Sequence, residues 1–487
     1  MKRVVIIGGG IAGLSTAWNL REHCPAKEFE IVLFEKNPRF GGNIRTERTD
    51  GFLIEGGPDC FLSEKPWAME LCKRLGIDGK FLNTNDKNKK TFVLSGGSLH
   101  ILPEGVILMI PTKILPLAYS SLISWPGKFR MALDLFVPKK KDRADESLGD
   151  FVRRRLGREA LDKIAEPLVA GVHAGDPETM SVRASFPKFV QLEEESGSLI
   201  RGMVRKMAQA AAHRKVAQQP PAGATGDPKR KLTMFMTLRD GLSELIDTLS
   251  SRLEKMENTV LRKGVGASSI EKLGEKYRVN LEDGGSIDAD ALVIAAPAWA
   301  AANLIGGKDA ELAEALRTIP YVSTATVSIA FKKKDIKHPL DGFGFVVPKI
   351  EKRRIMAATW TSVKFAHRAP DDSVLIRCFV GGSKNTELVA MDDAAMLKMV
   401  REELRDIMGI DAEPVLSRVF RWKNSMPQYT IGHEERIAWI EERLLMHPGL
   451  HLTGSAYHGI GISDAIRFGE VVAKRVIHEI SGKGTAQ

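Results

Sequence analysis

Cysteine is scarce in this chain: Cys24, Cys60, Cys72 and Cys378 are all there is in 487 residues, with neither a C-x-x-C pair nor any metal-ligand spacing. That argues against a disulfide scaffold or a zinc module, points to no metal, and suits a reducing compartment. Tyrosine is nearly as rare, with five in all, and the basic residues lack the interleaved aromatics of a nucleic-acid surface, so nucleic acid is not expected as a partner. Long apolar runs are missing too. The most apolar stretch, residues 105–125, is interrupted by Pro111, Lys113 and Pro116. It is too broken for a spanning helix of ~20 apolar residues, and fits buried helices or a helical patch lying on a membrane. The first apolar run starts at Val4, which leaves no room for a leader, so a cytoplasmic location is expected, peripheral at a membrane if that patch is used. What is present is an ordinary globular composition, 43% hydrophobic and 27% charged, long enough for two or three units. The net charge of +10 suits an anionic substrate or anionic lipid, while Lys139–Lys141 and Lys332–Lys334 read more simply as solvated faces.

The most informative segment is the N-terminus. Val4–Ile7 is a β-branched run suited to a buried parallel strand, and Gly8, Gly10 and Gly13 then give G-x-G-x-x-G where a helical pattern begins. Gly8 makes the turn, Gly10 lets a pyrophosphate approach the backbone, and Gly13 permits close helix–strand packing, with Ile11 and Ala12 opening the helix. Glu35, ending the next apolar run and followed by Lys36, stands where an acid accepts hydrogen bonds from a ribose. Strand, glycines, helix, second strand and terminal acid together predict a dinucleotide. Downstream, Arg39 with Gly41–Gly42, and then Gly56–Gly57–Pro58, place more close-approach backbone in sequence order, as a long cofactor requires.

The remaining chain alternates in character. Residues 147–172 read as helical, and 214–231, rich in Pro, Gly and charge, as a flexible surface loop. Tyr277–Leu281, the turn at Asp283–Gly285 and the run 289–297 read as a hairpin leading into a buried strand. Strands at Thr326–Phe331, Gly344–Val347 and Val374–Val380 suggest an antiparallel second sheet, followed by a helix over Asp393–Met408. The expected class is α/β: a discontinuous Rossmann-like domain from 1–85, 232–300 and 436–487; a mixed or antiparallel substrate domain from 86–104, 180–231 and 301–435; and a helical, membrane-associating subdomain at 105–179.

Several segments carry a family resemblance. Glu166–Pro177 contains Val172-His173-Ala174-Gly175-Asp176, Arg421–His433 reads R-W-K-N-S-M-P-Q-Y-T-I-G-H, and Gly454–Ile466 reads G-S-A-Y-H-G-I-G-I-S-D-A-I. In order and over nearly the whole chain, these resemble the flavin amine oxidase superfamily and, within it, the porphyrinogen oxidases of the Gram-positive bacterial type. The resemblance implies non-covalent FAD and hydride transfer from a methylene bridge of coproporphyrinogen III or protoporphyrinogen IX. Six electrons would leave in three cycles, with oxygen as acceptor and hydrogen peroxide formed, in a monomer or homodimer serving heme biosynthesis.

The same resemblance implies residue roles. Gly8, Gly10 and Gly13 would hold the pyrophosphate, Glu35 the ribose, Arg39, Gly41 and Gly42 the phosphates and ribityl chain, and Gly56 and Gly57 the isoalloxazine. Ile270 would contact adenine, and Trp422, Gly454, Ser455, Gly461, Ile462 and Ser463 would close over the flavin, the last three through N–H groups at a helix start. Val172, His173, Ala174 and Gly175 would lie beside the reacting ring, Phe345, Thr359 and Trp360 would wall the substrate, and Lys65 would meet a propionate. His173, His433 and His458 are candidates for proton handling. At Ile107 the eukaryotic enzymes carry a propionate-binding arginine, a departure that favours coproporphyrinogen III. Two rivals stay open: a polyamine or monoamine oxidase, for which the closing motif lacks a tyrosine pair, and a membrane-associated flavin module or carotenoid-type isomerase.

Overall fold

The structure, a computed structural model, describes residues 1–24, 26–103, 106–107, 110–111, 114–142, 144–217 and 232–481. Its centre is a five-stranded, all-parallel sheet in the order Thr259–Lys263, Phe29–Glu35, Lys2–Ile7, Ala291–Ile294, Leu450–Leu452. Its inner strands are apolar nearly throughout, because both faces are covered. On one face pack the helices Ile11–His23, Ser243–Glu254 and Ile462–Ile480; on the other pack a three-stranded meander (Ala267–Leu273, Lys276–Leu281, Ser286–Ala289) and the helices Ala298–Ile305, Ala310–Arg317 and His433–Leu444. From the first strand the chain steps outward to one side, then returns to build the other. The switch point lies between Lys2–Ile7 and Ala291–Ile294, and such crevices at the C-terminal ends of the strands bind ligands.

A second sheet has seven strands, ordered Leu416–Pro427, Tyr321–Lys332, Ser373–Gly381, Ile355–Thr359, Gly344–Val346, Thr91–Ser95, Ser98–Ile101. It is antiparallel except where Gly344–Val346 runs parallel to Thr91–Ser95. Helix Asp393–Met408 covers one face through Met396, Met399, Val400 and Leu404. The opposite face turns Thr326 and Arg377 toward the Gly56–Gly57 segment.

The third unit is helical, with Leu148–Arg155, Glu166–His173, Pro187–Ser196 and Leu199–Ala217 among its members. One core joins Leu122, Phe151, Leu161, Val169, Val182, Phe189 and Leu199. Residues 182–217, expected in the sheet domain, therefore belong to this helical unit. Beneath it Arg155 and Asp134 form a fully buried ion pair at 2.7 Å, with the Ser198 hydroxyl donating to the same carboxylate at 2.6 Å. The apolar stretch departs from the helical expectation: Val106–Ile107 pairs with Ile110–Pro111 as a two-stranded ladder before the helix Ile114–Tyr119. Pro111 donates no N–H and tolerates such an edge, whereas Pro116 sits in a first helical turn, where no N–H partner is needed. The side chain of Ile107 lies outside the described residues. Of the loop expected at 214–231, residues 214–217 continue helix Leu199–Ala217, and residues 218–231 lie outside the described residues. Among the described residues no helix is long and apolar enough to cross a membrane.

Candidate active site

The fingerprint loop joins the central strand to the first helix. Gly8, at φ +110°, has room for nothing larger: a Cβ would sit 2.5 Å from the Ala295 carbonyl oxygen, and one on Gly13 would sit 2.0 Å from that of Gly8. Gly10 differs, because a Cβ there would meet nothing within 4 Å. The space beyond Gly10 is thus open, and helix Ile11–His23 starts there without a side-chain cap. Uncapped N–H groups and the positive helix end facing an open cradle are what a pyrophosphate needs. Glu35 is buried, accepting the Gly9 N–H at 2.7 Å through one oxygen and both the Asn37 N–H (2.8 Å) and its side-chain amide (2.6 Å) through the other. A carboxylate offers about four acceptor sites, so it retains capacity for a ribose hydroxyl.

The second glycine pair is stitched to the first. Gly41 donates to the Gly9 carbonyl at 2.8 Å, and the Arg39 guanidinium is spent on the carbonyls of Phe40, Gly42 and Ile44. Arg39 therefore shapes this turn. Gly57 packs so closely that a Cβ would lie 1.7 Å from the Asn43 carbonyl oxygen, and Trp422 Nε1 donates to the Gly56 carbonyl at 2.8 Å. The closing segment is strapped by Tyr429: its hydroxyl donates to the Ser455 carbonyl at 2.7 Å and accepts the Gly459 N–H at 2.6 Å. Helix Ile462–Ile480 then begins after Gly461, again uncapped.

These segments meet beside the parallel sheet, with Gly41 bonded to Gly9, Gly57 packed on Asn43 and Gly454 facing the Ala296 carbonyl. The profile of the flavin containing amine oxidoreductases matches residues 11–477. Coproporphyrinogen III oxidase of Bacillus subtilis (strain 168) is 36% identical over 472 residues, 96% of each chain. That of Staphylococcus aureus (strain NCTC 8325 / PS 47) is 33% identical, covering 98% of this chain and 100% of its own. A crystal structure from Exiguobacterium sp. 255-15, assigned as a protoporphyrinogen oxidase, superposes with a TM-score of 0.83 at 32% identity over 99% of both chains. The chain belongs to the flavin containing amine oxidoreductase family. A flavin is accordingly its cofactor, and the open cradle at Gly10 and the two uncapped helix starts fit that group.

Within this flavin oxidoreductase the turn His173-Ala174-Gly175 ends helix Glu166–His173, with Ala174 left-handed at φ +51°. Gln428 Nε2 donates to the His173 carbonyl at 3.1 Å, and the Ser383 N–H to that of Ala174 at 2.8 Å. Val172 stands 63% exposed at this edge. Burial, aided by the positive charge of Lys65, pushes the His173 imidazole down to about 4. Lys65 is not free: its ammonium bridges both carboxylate oxygens of Asp464 at 2.6 and 2.8 Å, and its carbonyl accepts from Ser463 Oγ at 3.1 Å.

Several expectations need correction. Phe345 and Trp360 are fully buried in the core under helix Asp393–Met408, on the far face of the second sheet, and cannot wall a substrate; Thr359 stays beside Arg377 in the ladder. Ile270 lies inside the meander, buried opposite Val279 in the core shared with Phe34. The residue beside Glu35 is Val265, whose N–H donates to the Glu35 carbonyl at 3.0 Å. The signal was available in the strand Thr259–Lys263 and its stop at Gly264. Lys36 pairs outward with Glu282 at 2.7 Å. Sequence reasoning also missed Arg377, which is buried, and the partly buried pair Asp59 and Lys364, a charged group behind Gly56–Gly57.

Proposed function

We propose that this protein is an FAD-dependent porphyrinogen oxidase of heme biosynthesis, with coproporphyrinogen III the favoured substrate and protoporphyrinogen IX a second. The supporting observation is the junction of two motifs: Gln428 ties the His173–Gly175 turn to the segment whose Tyr429 straps the closing loop. Substrate edge and flavin closure are thereby one construction, and relatives similar to this chain over nearly their full length are named for coproporphyrinogen III. FAD, bound without a covalent link, supplies the hydride acceptor when present. The chain's own residues bind, orient and exclude water. Gly10 and the helix after it receive the pyrophosphate, Glu35 the ribose, and the start of helix Ile462–Ile480 favours negative charge at the far end.

Proton handling falls to none of the three histidines. His173 and His433, both pushed down to about 4 chiefly by burial, are poor bases at neutral pH, and His458 is engaged by Glu441 at 3.1 Å on the surface. Lys65, oriented by Asp464, is the proposed partner of a substrate carboxylate. Molecular oxygen is the proposed acceptor, with hydrogen peroxide as product, in a cytoplasmic monomer or homodimer whose helical unit touches an anionic membrane surface.

The test is aerobic turnover of the FAD-loaded protein with each porphyrinogen offered separately, followed by porphyrin fluorescence. Faster formation of coproporphyrin supports the reading, and Lys65→Ala then raises KM for coproporphyrinogen while leaving kcat near wild type. Peroxide from amines, with no porphyrin from either substrate, overturns it.

A further inference from the structure

The Gly56–Gly57 segment is held from behind by charge that the proposed chemistry has not used. The Gly56 carbonyl accepts three donors from the second sheet: Thr326 Oγ1 at 2.8 Å, Trp422 Nε1 at 2.8 Å and Arg377 Nη2 at 3.4 Å. Arg377 Nη2 donates to the Gly57 carbonyl as well. The Arg377 side chain is only 4% exposed, its guanidinium lies 4.8 Å from the Phe379 ring centroid, and its Nε is buried without an acceptor. Directly across the ladder, Ser328 Oγ is buried and unpartnered too.

Next to Arg377 stands a second, partly buried cation. Lys364 Nζ pairs with Asp59 at 2.9 Å and approaches Cys60 Sγ at 3.7 Å, with Phe235 and Phe365 around it. Burial alone would raise the Asp59 carboxyl, but Lys364 and Arg377 hold it well below the usual range, and burial beside Asp59 pushes the Cys60 thiol up, leaving it neutral. The cluster therefore carries two positive charges against one negative. Glu55, the next carboxyl along, is pushed up to about 7 by burial and already accepts the Leu242 N–H and the Thr46 hydroxyl, so it offsets that surplus only in part.

Peptide geometry transmits this charge. The bond between Gly56 and Gly57 is trans, so the carbonyl held by three donors forces the Gly57 N–H to point the opposite way, away from the second sheet. Among the described residues that N–H donates to no protein acceptor. A donor whose own carbonyl is engaged by a guanidinium is polarised and strengthened.

We propose that Arg377 is a positioning residue for the electron affinity of the flavin, acting through the Gly56–Gly57 peptide while Asp59 partly offsets it. This rests on the flavin reading and goes beyond it, assigning to a residue outside every cofactor motif the control of how readily the flavin takes electrons. Reduction adds negative charge to the cofactor, and a fixed buried cation behind a polarised N–H favours that state.

The two carriers of the charge predict shifts of opposite sign. In the FAD-loaded protein, Arg377→Met weakens sulfite binding to the flavin by about tenfold, the scale of one buried charge at an effective dielectric near 20. Its two-electron midpoint potential falls by the equivalent, about 30 mV. Arg377→Lys recovers most of both. Asp59→Asn shifts sulfite affinity and potential upward, a reversal that loss of packing would not produce. Unchanged potential and sulfite affinity in a flavin-loaded Arg377→Met protein overturn the proposal while leaving the flavin reading intact. A wild-type protein that takes up no FAD overturns both. Should Arg377→Met not accumulate folded, Asp59→Asn decides alone: a raised potential supports the assignment, and a lowered or unchanged one refutes it.

Discussion

At the scale of single residues, glycines in one short loop do different work, and substitution separates them. Gly13→Ala drives a methyl to 2.0 Å from the Gly8 carbonyl oxygen, a backbone atom that cannot yield, so helix Ile11–His23 must lift from its strand and the fold is lost. The Cβ of Gly10→Val meets nothing within 4 Å, and the backbone there is extended, at φ −72° and ψ 177°, which any residue adopts. That variant is expected to fold with a melting temperature close to the flavin-free wild type, yet to bind FAD at least about tenfold more weakly, or about 1.4 kcal/mol. Normal FAD affinity in Gly10→Val would remove the pyrophosphate from this loop. His433 gives a second residue-scale test. It is buried, stacked on Tyr429 with ring centroids 4.0 Å apart, and contacts the Tyr457 carbonyl through Nε2 at 3.3 Å, while Nδ1 has no partner. Burial pushes it down to about 4, against 6.5 in the unfolded chain. Between those values the unfolded state binds the extra proton, so this contribution is present above pH 6.5 and is lost as pH falls toward 4. It amounts to roughly 3 kcal/mol. His433→Gln should flatten the fall of melting temperature over that window relative to wild type; an unchanged slope would show that His433 titrates normally.

Elements carry the next level, where the closing loop depends on the strap at Tyr429. Tyr429→Phe leaves the Gly459 N–H and the Ser455 carbonyl without their partner, at a cost of about 1–3 kcal/mol. FAD release should quicken about tenfold, measured by stopped-flow fluorescence of the freed flavin. An unaltered release rate would mean that the loop is held by Gly454 and the helix alone. Elements are also where the sequence was most and least readable. Val4–Ile7, its glycine turn and Glu35 were legible because each needs a residue type at a fixed spacing. The helix Asp393–Met408 showed itself by its apolar period. Phe345 and Trp360 were misplaced because a strand with apolar residues on both faces does not reveal which face the helix will cover. Ile270 was mistaken because a β-branched residue in a meander looks like one beside an acid, and only strand pairing brings Val265 next to Glu35. The charged group at Asp59, Lys364 and Arg377 could not be read at all, being drawn from positions 59, 364 and 377 and assembled only by the packing of one sheet against the other unit.

For the whole molecule, the question is what the helical unit faces. Tyr119, Trp125, Phe129 and Phe136 are 87, 73, 69 and 81% exposed, four rings within eighteen residues. Trp125 and Phe129 lie one turn apart on helix Trp125–Ala132, so their rings share a side, and Lys128 Nζ covers the Trp125 ring at 4.4 Å. Lys139–Lys141 follow directly, in a chain whose net charge is +10. Exposed aromatics flanked by cations match the headgroup region of an anionic bilayer, where rings insert shallowly and each nearby cation adds about 1 kcal/mol. Among the described residues no helix is long and apolar enough to cross a membrane, so the surface argued for is this exposed patch. The expected result is co-sedimentation with phosphatidylglycerol vesicles, weakened by salt and absent with phosphatidylcholine alone. The triple change Trp125→Ser, Phe129→Ser, Phe136→Ser should abolish it and leave turnover of dissolved porphyrinogen intact, because none of the three touches the cleft segments. Equal binding to neutral and anionic vesicles would refute the electrostatic part, and undiminished binding by the triple variant would place the contact elsewhere. If both arms behave as argued, one molecule joins a rigid flavin cleft to a surface that holds it where an amphipathic tetrapyrrole would gather.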